Sequence, residues 1–93
     1  MQDFIINMDK ETIDAISYVQ MSKYRMKVLI DLKEGLKIPS IIAESTGIRI
    51  NHVSRTLKEL KEKQLIIVLN PEKTQGRLYQ ITDLGKEVLK YIK

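Results

Sequence analysis

The stretch Ile48-Arg49-Ile50-Asn51-His52-Val53-Ser54-Arg55-Thr56-Leu57-Lys58-Glu59-Leu60-Lys61-Glu62-Lys63-Gln64-Leu65 decides how the rest of the chain is read. Val53, Leu57 and Leu60 follow one another at four- and three-residue steps, so at about 100° per residue they share one face of a helix. Arg55 and Asn51 project roughly opposite, with Lys58 and His52 to either side, and Glu59 and Glu62 also face outward. Asn51 is a residue type that accepts the free N–H groups of a first turn, which predicts that it caps the helix. One side of this helix packs and the other is free to touch a partner. Taken alone, the pattern also fits an ordinary solvated surface helix, because Lys and Arg are good helix formers anywhere. The flanking segments choose between the two.

Upstream, Ser22 is placed to cap a helix carrying Tyr24, Val28, Leu29 and Leu32, with a stop near Gly35. Lys23, Arg25 and Lys27 decorate its start, where basic residues oppose the helix dipole and are compatible with phosphate contact. Residues 36–38 are long enough only for a bridge-length strand. Pro39 suits the first position of the next helix, since its missing N–H would be unpaired there anyway. That helix holds Ile41, Ile42 and Ala43 and ends at Ser45-Thr46-Gly47, where glycine supports a left-handed turn and Ile48 tucks into the core. Two helices joined by so short a glycine turn cross steeply, which is the helix-turn-helix arrangement.

Downstream, residues 65–69 form a β-branched run and residues 77–81 a second strand candidate. Between them lies Asn70-Pro71-Glu72-Lys73-Thr74-Gln75-Gly76, a hairpin tip longer than a two-residue turn. Thr82 then caps a final helix with Leu84, Val88, Leu89 and Ile92 on its apolar side. At the other end, Phe4-Ile5-Ile6 precedes Asp9, which caps a helix with Ile13, Ile16, Val19 and Met21 as its apolar stripe. A helix this short is marginal alone, so the stripe packs on the domain or on a second chain.

Ninety-three residues, 43% of them hydrophobic, suffice for one small domain and leave no room for a separate catalytic or sensing domain. The absence of cysteine excludes disulfides and thiolate metal sites, and one histidine cannot build a metal site unaided. No cofactor is implied. No apolar run approaches the ~20 residues of a membrane span, and no export signal opens the chain, so a cytoplasmic location is expected. Charge is unevenly distributed. Residues 1–21 hold one lysine against four carboxylates, a balance of −3, whereas residues 22–93 hold fifteen basic and eight acidic side chains, a balance of +7. The second part favours a polyanion partner. A lysine-rich surface kept for solubility has the same composition.

Three segments together carry a family resemblance: Ile42-Ala43-Glu44 followed by Thr46-Gly47-Ile48, then Val53-Ser54-Arg55-Thr56-Leu57-Lys58-Glu59-Leu60, then Arg77-Leu78-Tyr79-Gln80-Ile81-Thr82-Asp83-Leu84-Gly85. In order and spacing the chain from residue 22 to 93 resembles the winged helix-turn-helix regulators, in particular the MarR- and ArsR-like prokaryotic repressors, archaeal ones included. The fold implied is α+β and mostly helical, with a two-stranded wing hairpin and flanking N- and C-terminal helices. The resemblance implies that the second helix of the motif enters the DNA major groove while the hairpin tip reaches a flanking minor groove or phosphate. On the groove-facing side it places Arg49, Asn51, His52, Ser54, Arg55 and Lys58, and on the wing Lys73, Thr74, Gln75 and Arg77. Two positions depart from the pattern: Ile38 stands where such proteins often carry a Ser or Thr cap, and Gln64 replaces the glycine common between recognition helix and wing.

The expected function is a sequence-selective double-stranded-DNA-binding transcription regulator. Arg55 suits guanine O6 and N7, and Asn51 suits adenine if its side chain is not committed to capping. Lys58 and the wing cations suit phosphate, although Arg77, at the strand start, is also placed to support the hairpin. With 5% aromatics a single-strand binder is disfavoured. The alternative is a winged-helix protein-interaction module, to which Glu59 and Glu62 lend weight, since the fold does not itself specify DNA. An enzyme is the poorest fit: Ser54 has only His52 near it, two positions away and badly oriented, and no phosphate-cradling loop or carboxylate pair is present. Residues 1–21 are expected to mediate a homodimer together with the final helix. The target sequence, the sign of regulation and any effector are not encoded in a readable pattern.

Overall fold

Cap chemistry sets the helix starts. In the computed structural model, which describes residues 9–92, the Asp9 carboxylate accepts the Thr12 N–H at 2.9 Å and opens α1 (Lys10–Gln20). That hydrogen bond favours the ionised form and holds Asp9 below the usual carboxylate range. The run Phe4-Ile5-Ile6 lies outside the described residues. The Ser22 hydroxyl accepts the Arg25 N–H at 3.2 Å and opens α2 (Lys23–Leu32). The Thr82 hydroxyl accepts the Gly85 N–H at 3.1 Å to open α5 (Asp83–Leu89), and donates back to the Gln64 carbonyl at 2.8 Å.

Between these elements lies the expected motif. α3 (Pro39–Thr46) begins at proline after Ile38, which supplies no side-chain cap, and ends at Gly47 with φ of 75°, its N–H bonded to the Ala43 carbonyl at 2.9 Å. Ile48 is buried immediately afterwards. α4 (Ile50–Glu62) follows, and its cap corrects the sequence reading. Arg49, extended at φ −60° and ψ 146°, is the cap residue, and its carbonyl takes the His52 and Val53 N–H groups at 3.0 and 2.9 Å. Burial of Ile48 pulls the chain in so soon after Gly47 that the helix starts before Asn51, which sits in the first turn with its amide uncommitted to capping.

α4 ends with paired back-bonds: the Leu65 N–H reaches the Leu60 carbonyl at 3.0 Å and the Gln64 N–H reaches Lys61 at 2.9 Å. This arrangement requires a left-handed residue at position 64, and Gln64 adopts φ of 62°. The hairpin is shorter than its two apolar runs suggest, with β1 (Ile66–Val68) antiparallel to β2 (Tyr79–Ile81) in the register Ile66 to Ile81, Ile67 to Gln80 and Val68 to Tyr79. Leu65 is consumed by the helix stop, and Arg77 by the loop. Lys37 makes the bridge-length strand on the far side of β2, exchanging both backbone bonds with Tyr79 at 3.2 and 2.9 Å.

The five helices among the described residues feed one core. Val28, Leu29 and Leu32 of α2, Ile42 of α3, and Val53, Leu57 and Leu60 of α4 meet Leu65 at the helix stop and Ile66, Tyr79 and Ile81 of the hairpin. α1 joins through Ala15 and Val19, with Thr12 beside them, so the described part of residues 1–21 packs on the same core. The α1 stripe is rotated from the expected one: Ile13 is 40% exposed and Met21 79%. Val88, Leu89 and Ile92 are core residues as well and are not available to a second chain, contrary to the expectation for the final helix. α5 sits against the base of the hairpin so closely that a Cβ at Gly85 would collide with the Leu65 carbonyl and the Ile81 side chain.

A buried polar clasp fixes α2, the bridge strand and α3 together. Asp31, 8% exposed, accepts from Lys37 Nζ at 2.8 Å and from the Ser45 hydroxyl at 2.7 Å, while Glu34 takes the same ammonium at 2.9 Å. Asp31, and then Glu34, raise the Lys37 ammonium above the ordinary lysine range.

The left-handed Gln64 stores strain that glycine would relieve. Gln64→Gly is expected to raise unfolding free energy by about 1 kcal/mol, read as a higher urea midpoint with an unchanged m-value.

Candidate nucleic-acid interface

The burial of Val53, Thr56, Leu57 and Leu60 fixes the rotation of α4 about its own axis. Asn51, Ser54, Arg55 and Lys58 are consequently exposed, while His52 and Glu59 are half-buried on the flank facing α2. On the opposite flank the helix looks into a cleft of about 800 Å³. Ser54, Lys58 and Lys61 of α4 form one wall and Thr74, Gln75, Gly76 and Arg77 of the hairpin tip form another. Pro39 and Ser40 at the start of α3 close the end. Of the ten residues singled out in the sequence, five therefore meet in this cleft. Asn51 and Arg55 stand beside it on the exposed face, and Arg49 precedes the helix as its exposed cap residue. Pro39, Ser40 and Lys61 were missed. For the first two the signal was present, because a helix start without a side-chain cap presents a positive dipole end that favours an anion.

The tip, residues 70–77, is more ordered than its polar composition suggests. Asn70 spans it, accepting the Leu78 N–H on Oδ1 at 2.7 Å and donating from Nδ2 to the Gly76 carbonyl at 3.2 Å. Arg77 is turned inward: Nε donates to the Lys73 carbonyl at 2.6 Å and Nη2 to the Pro71 carbonyl at 3.2 Å. Its guanidinium braces the loop, whereas the exposed Lys73 makes no ion pair among the described residues.

Other polar side chains also serve the architecture. Arg25, considered for phosphate contact, lies over the Tyr18 ring with its guanidinium carbon 3.8 Å from the centroid, bonds the Tyr18 carbonyl through Nη1 at 2.8 Å, and pairs with Glu59 through Nε at 3.1 Å. It joins α1, α2 and α4, and Glu59 is thereby withdrawn from the exposed face. His52 is also engaged: its Nδ1 meets Arg55 Nη2 at 2.8 Å, and its ring lies 5.3 Å from that of Tyr24. Lys23 and Lys27 remain exposed. Among the described residues no group of His, Asp and Glu side chains is arranged to hold a metal ion, and no helix is long and apolar enough to cross a membrane.

The fold has counterparts among solved structures. A ZitR variant from Lactococcus lactis, in complex with DNA, matches 74% of this chain and 48% of its own at 26% identity, with a TM-score of 0.64. The chain folds as a winged helix-turn-helix. A MarR family transcription regulator matches 97% of this chain and 61% of its own at 16% identity, with a TM-score of 0.70. The homodimeric winged helix-turn-helix DNA-binding domain Mb0332 from Mycobacterium bovis, of a possible ArsR-family transcriptional regulator, matches 91% and 84% at 18% identity, with a TM-score of 0.68. The winged helix-turn-helix chain described here thus spans about half the ZitR chain and three fifths of the MarR family one. No family model and no curated protein matches it by sequence.

The inward turn of Arg77 gives it a measurable structural role. Arg77→Ala is expected to speed amide hydrogen exchange across residues 72–78 while global stability changes by about 1 kcal/mol or less, as for local opening of a surface loop.

Proposed function

We propose that this chain is a sequence-selective double-stranded-DNA-binding transcription regulator, acting in the cytoplasm, with α4 in the major groove and the hairpin on flanking backbone or minor groove. The observation that carries the reading is the convergence of Ser54 and Lys58 with Thr74, Gln75 and Arg77 around one cleft, beside an exposed Asn51 and Arg55. Amide and guanidinium groups at the start of a groove-sized helix suit adenine and guanine edges, and the loop suits phosphate. The DNA complex of ZitR supports it. A protein-interaction role drew on Glu59 and Glu62, and the engagement of Glu59 by Arg25 leaves only Glu62 to speak for it. The side chains divide the work, with Arg55 and Asn51 reading bases, Lys58 and Lys73 holding phosphate, and Arg77 stiffening the wing.

Selection of duplexes from a random pool, followed by titration, tests this. Arg55→Ala should cost about 1 to 3 kcal/mol on the selected site and little on random DNA, whereas Lys73→Gln should weaken both alike and flatten log affinity against log salt by roughly 0.9. Retention of no duplex by the wild-type chain would return the interaction module to first place.

The same reading includes a homodimer formed through the outer face of α1, where Ile13 and Met21 stand exposed. α1 flanks the C-terminal end of α4, its Lys10, Glu11 and Asp14 sharing a hollow with Glu62, Lys63 and Gln64, so a partner there leaves the start of α4 open. The homodimeric Mb0332 domain lends support. Sedimentation at micromolar concentration is expected to give twice the 10.8 kDa chain mass, with Met21→Glu shifting it to the monomer; a wild-type monomer removes the claim.

A further inference from the structure

Arg55 is the side chain on which base reading rests, and its surroundings are unusual for an exposed arginine. A carboxylate stands four residues ahead on the same helix, at the spacing where Arg and Glu ordinarily pair. Yet Glu59 is taken by Arg25 from α2 at 3.1 Å, and Arg55 bonds a neutral acceptor instead, His52 Nδ1 at 2.8 Å. Arginine keeps its protons, so the imidazole must accept at Nδ1 and carry its own proton on Nε2. The ring is in turn steadied from α2 by Tyr24, whose ring centre is 5.3 Å away at a 45° tilt.

We propose that Tyr24 and His52 are positioning residues that hold the Arg55 guanidinium ready for a guanine edge, while Arg25 keeps Glu59 from neutralising it. The inference rests on the DNA-reading role proposed for α4 and names how that role is made specific. The chemistry favours this arrangement over a carboxylate partner. A carboxylate would accept two parallel bonds from the guanidinium fork, the same donors that guanine O6 and N7 require. A single imidazole nitrogen occupies one of five donors, restricts the long side chain and leaves the rest of the fork open. Order is therefore imposed before DNA arrives, and less rotamer freedom is lost on binding. His52 then acts through Arg55, without touching DNA itself.

The test uses the full chain, its selected duplex and a scrambled duplex at one salt concentration. His52→Ala should reduce the ratio of selected to scrambled affinity by up to about 10-fold, the cost of ordering one long side chain on binding. His52→Asn, whose Oδ1 takes the place of Nδ1, should restore most of that ratio. Tyr24→Phe should resemble wild type, and Tyr24→Ala should resemble His52→Ala. The double variant His52→Ala with Arg55→Ala should be no worse than Arg55→Ala alone, since a residue acting through another is silent once that other is gone. In parallel, side-chain NMR relaxation of Arg55 Nε in the free protein should show an ordered group in wild type and a mobile one in His52→Ala. Additive losses in the double variant, or equal weakening on both duplexes, would make His52 a DNA contact and overturn the inference. Equal Arg55 mobility with and without His52 would overturn it while leaving the DNA reading intact. An ordered Arg55 in a chain that prefers no duplex would instead sink the DNA reading, and the base-reading role with it.

Discussion

The constraint on which everything else depends is rotational. Four side chains of α4, Val53, Thr56, Leu57 and Leu60, are buried, and each large-to-small change among the aliphatic ones would cost roughly 2 to 5 kcal/mol. A helix held in this way cannot turn about its axis without exposing them. The identity of every outward side chain then follows: Asn51, Ser54, Arg55 and Lys58 project because they lie opposite that stripe. The chemistry presented at this surface is a by-product of packing underneath it. The glycine turn at Gly47 and the burial of Ile48 set the crossing of α3 and α4, and the hairpin inherits its direction from the stop at Gln64.

Charge on this protein divides into two populations that composition could not separate. One is engaged internally: Lys37 in the clasp with Asp31, Arg25 between Tyr18 and Glu59, and Arg77 within the hairpin tip. The other, including Lys58 and Lys73, stands exposed. The partly buried members order neighbouring elements, and cutting one partner from the Asp31 clasp would strand a buried carboxylate. For long-range attraction of a polyanion the net charge is still what counts, because a paired cation that is matched by its carboxylate drops out of the sum. The surplus of the second part is thus borne by fewer lysines and arginines than the sequence contains.

Much of the fold was legible because it is written in local signals. Asp9, Ser22 and Thr82 cap as their residue types predict, Pro39 opens α3, Gly47 turns left-handed, and the aliphatic spacing of α4 matches its buried face. Where the reading slipped, the deciding contact was remote in sequence. Asn51 is a good cap residue, yet the start of α4 was set by Ile48 sinking into a core built from other helices. Ile13 looked like the inward residue of α1, but Thr12 and Ala15 face the core because the neighbours of α1 lie on that side. For the interface, the exposed side chains of α4 could be named from periodicity alone. The inward turn of Arg77, the bracing by Asn70, the capture of Glu59 by Arg25 and the contact of Tyr24 with His52 could not, since each depends on a partner several residues or a whole helix away.

Gly85 carries a lesson of another kind. It lies outside the cleft, touches neither the exposed face of α4 nor the hairpin tip, and is present because α5 approaches the Leu65 carbonyl and Ile81 too closely for a methyl group. In a library of variants sorted for any activity of the wing, nearly every side chain at position 85 would be discarded. A map of tolerated substitutions would colour it as brightly as Arg55. Intolerance there reports the fit of a seam and says nothing of what the protein recognises. Any attempt to infer the binding surface from mutational sensitivity must first subtract positions of this sort.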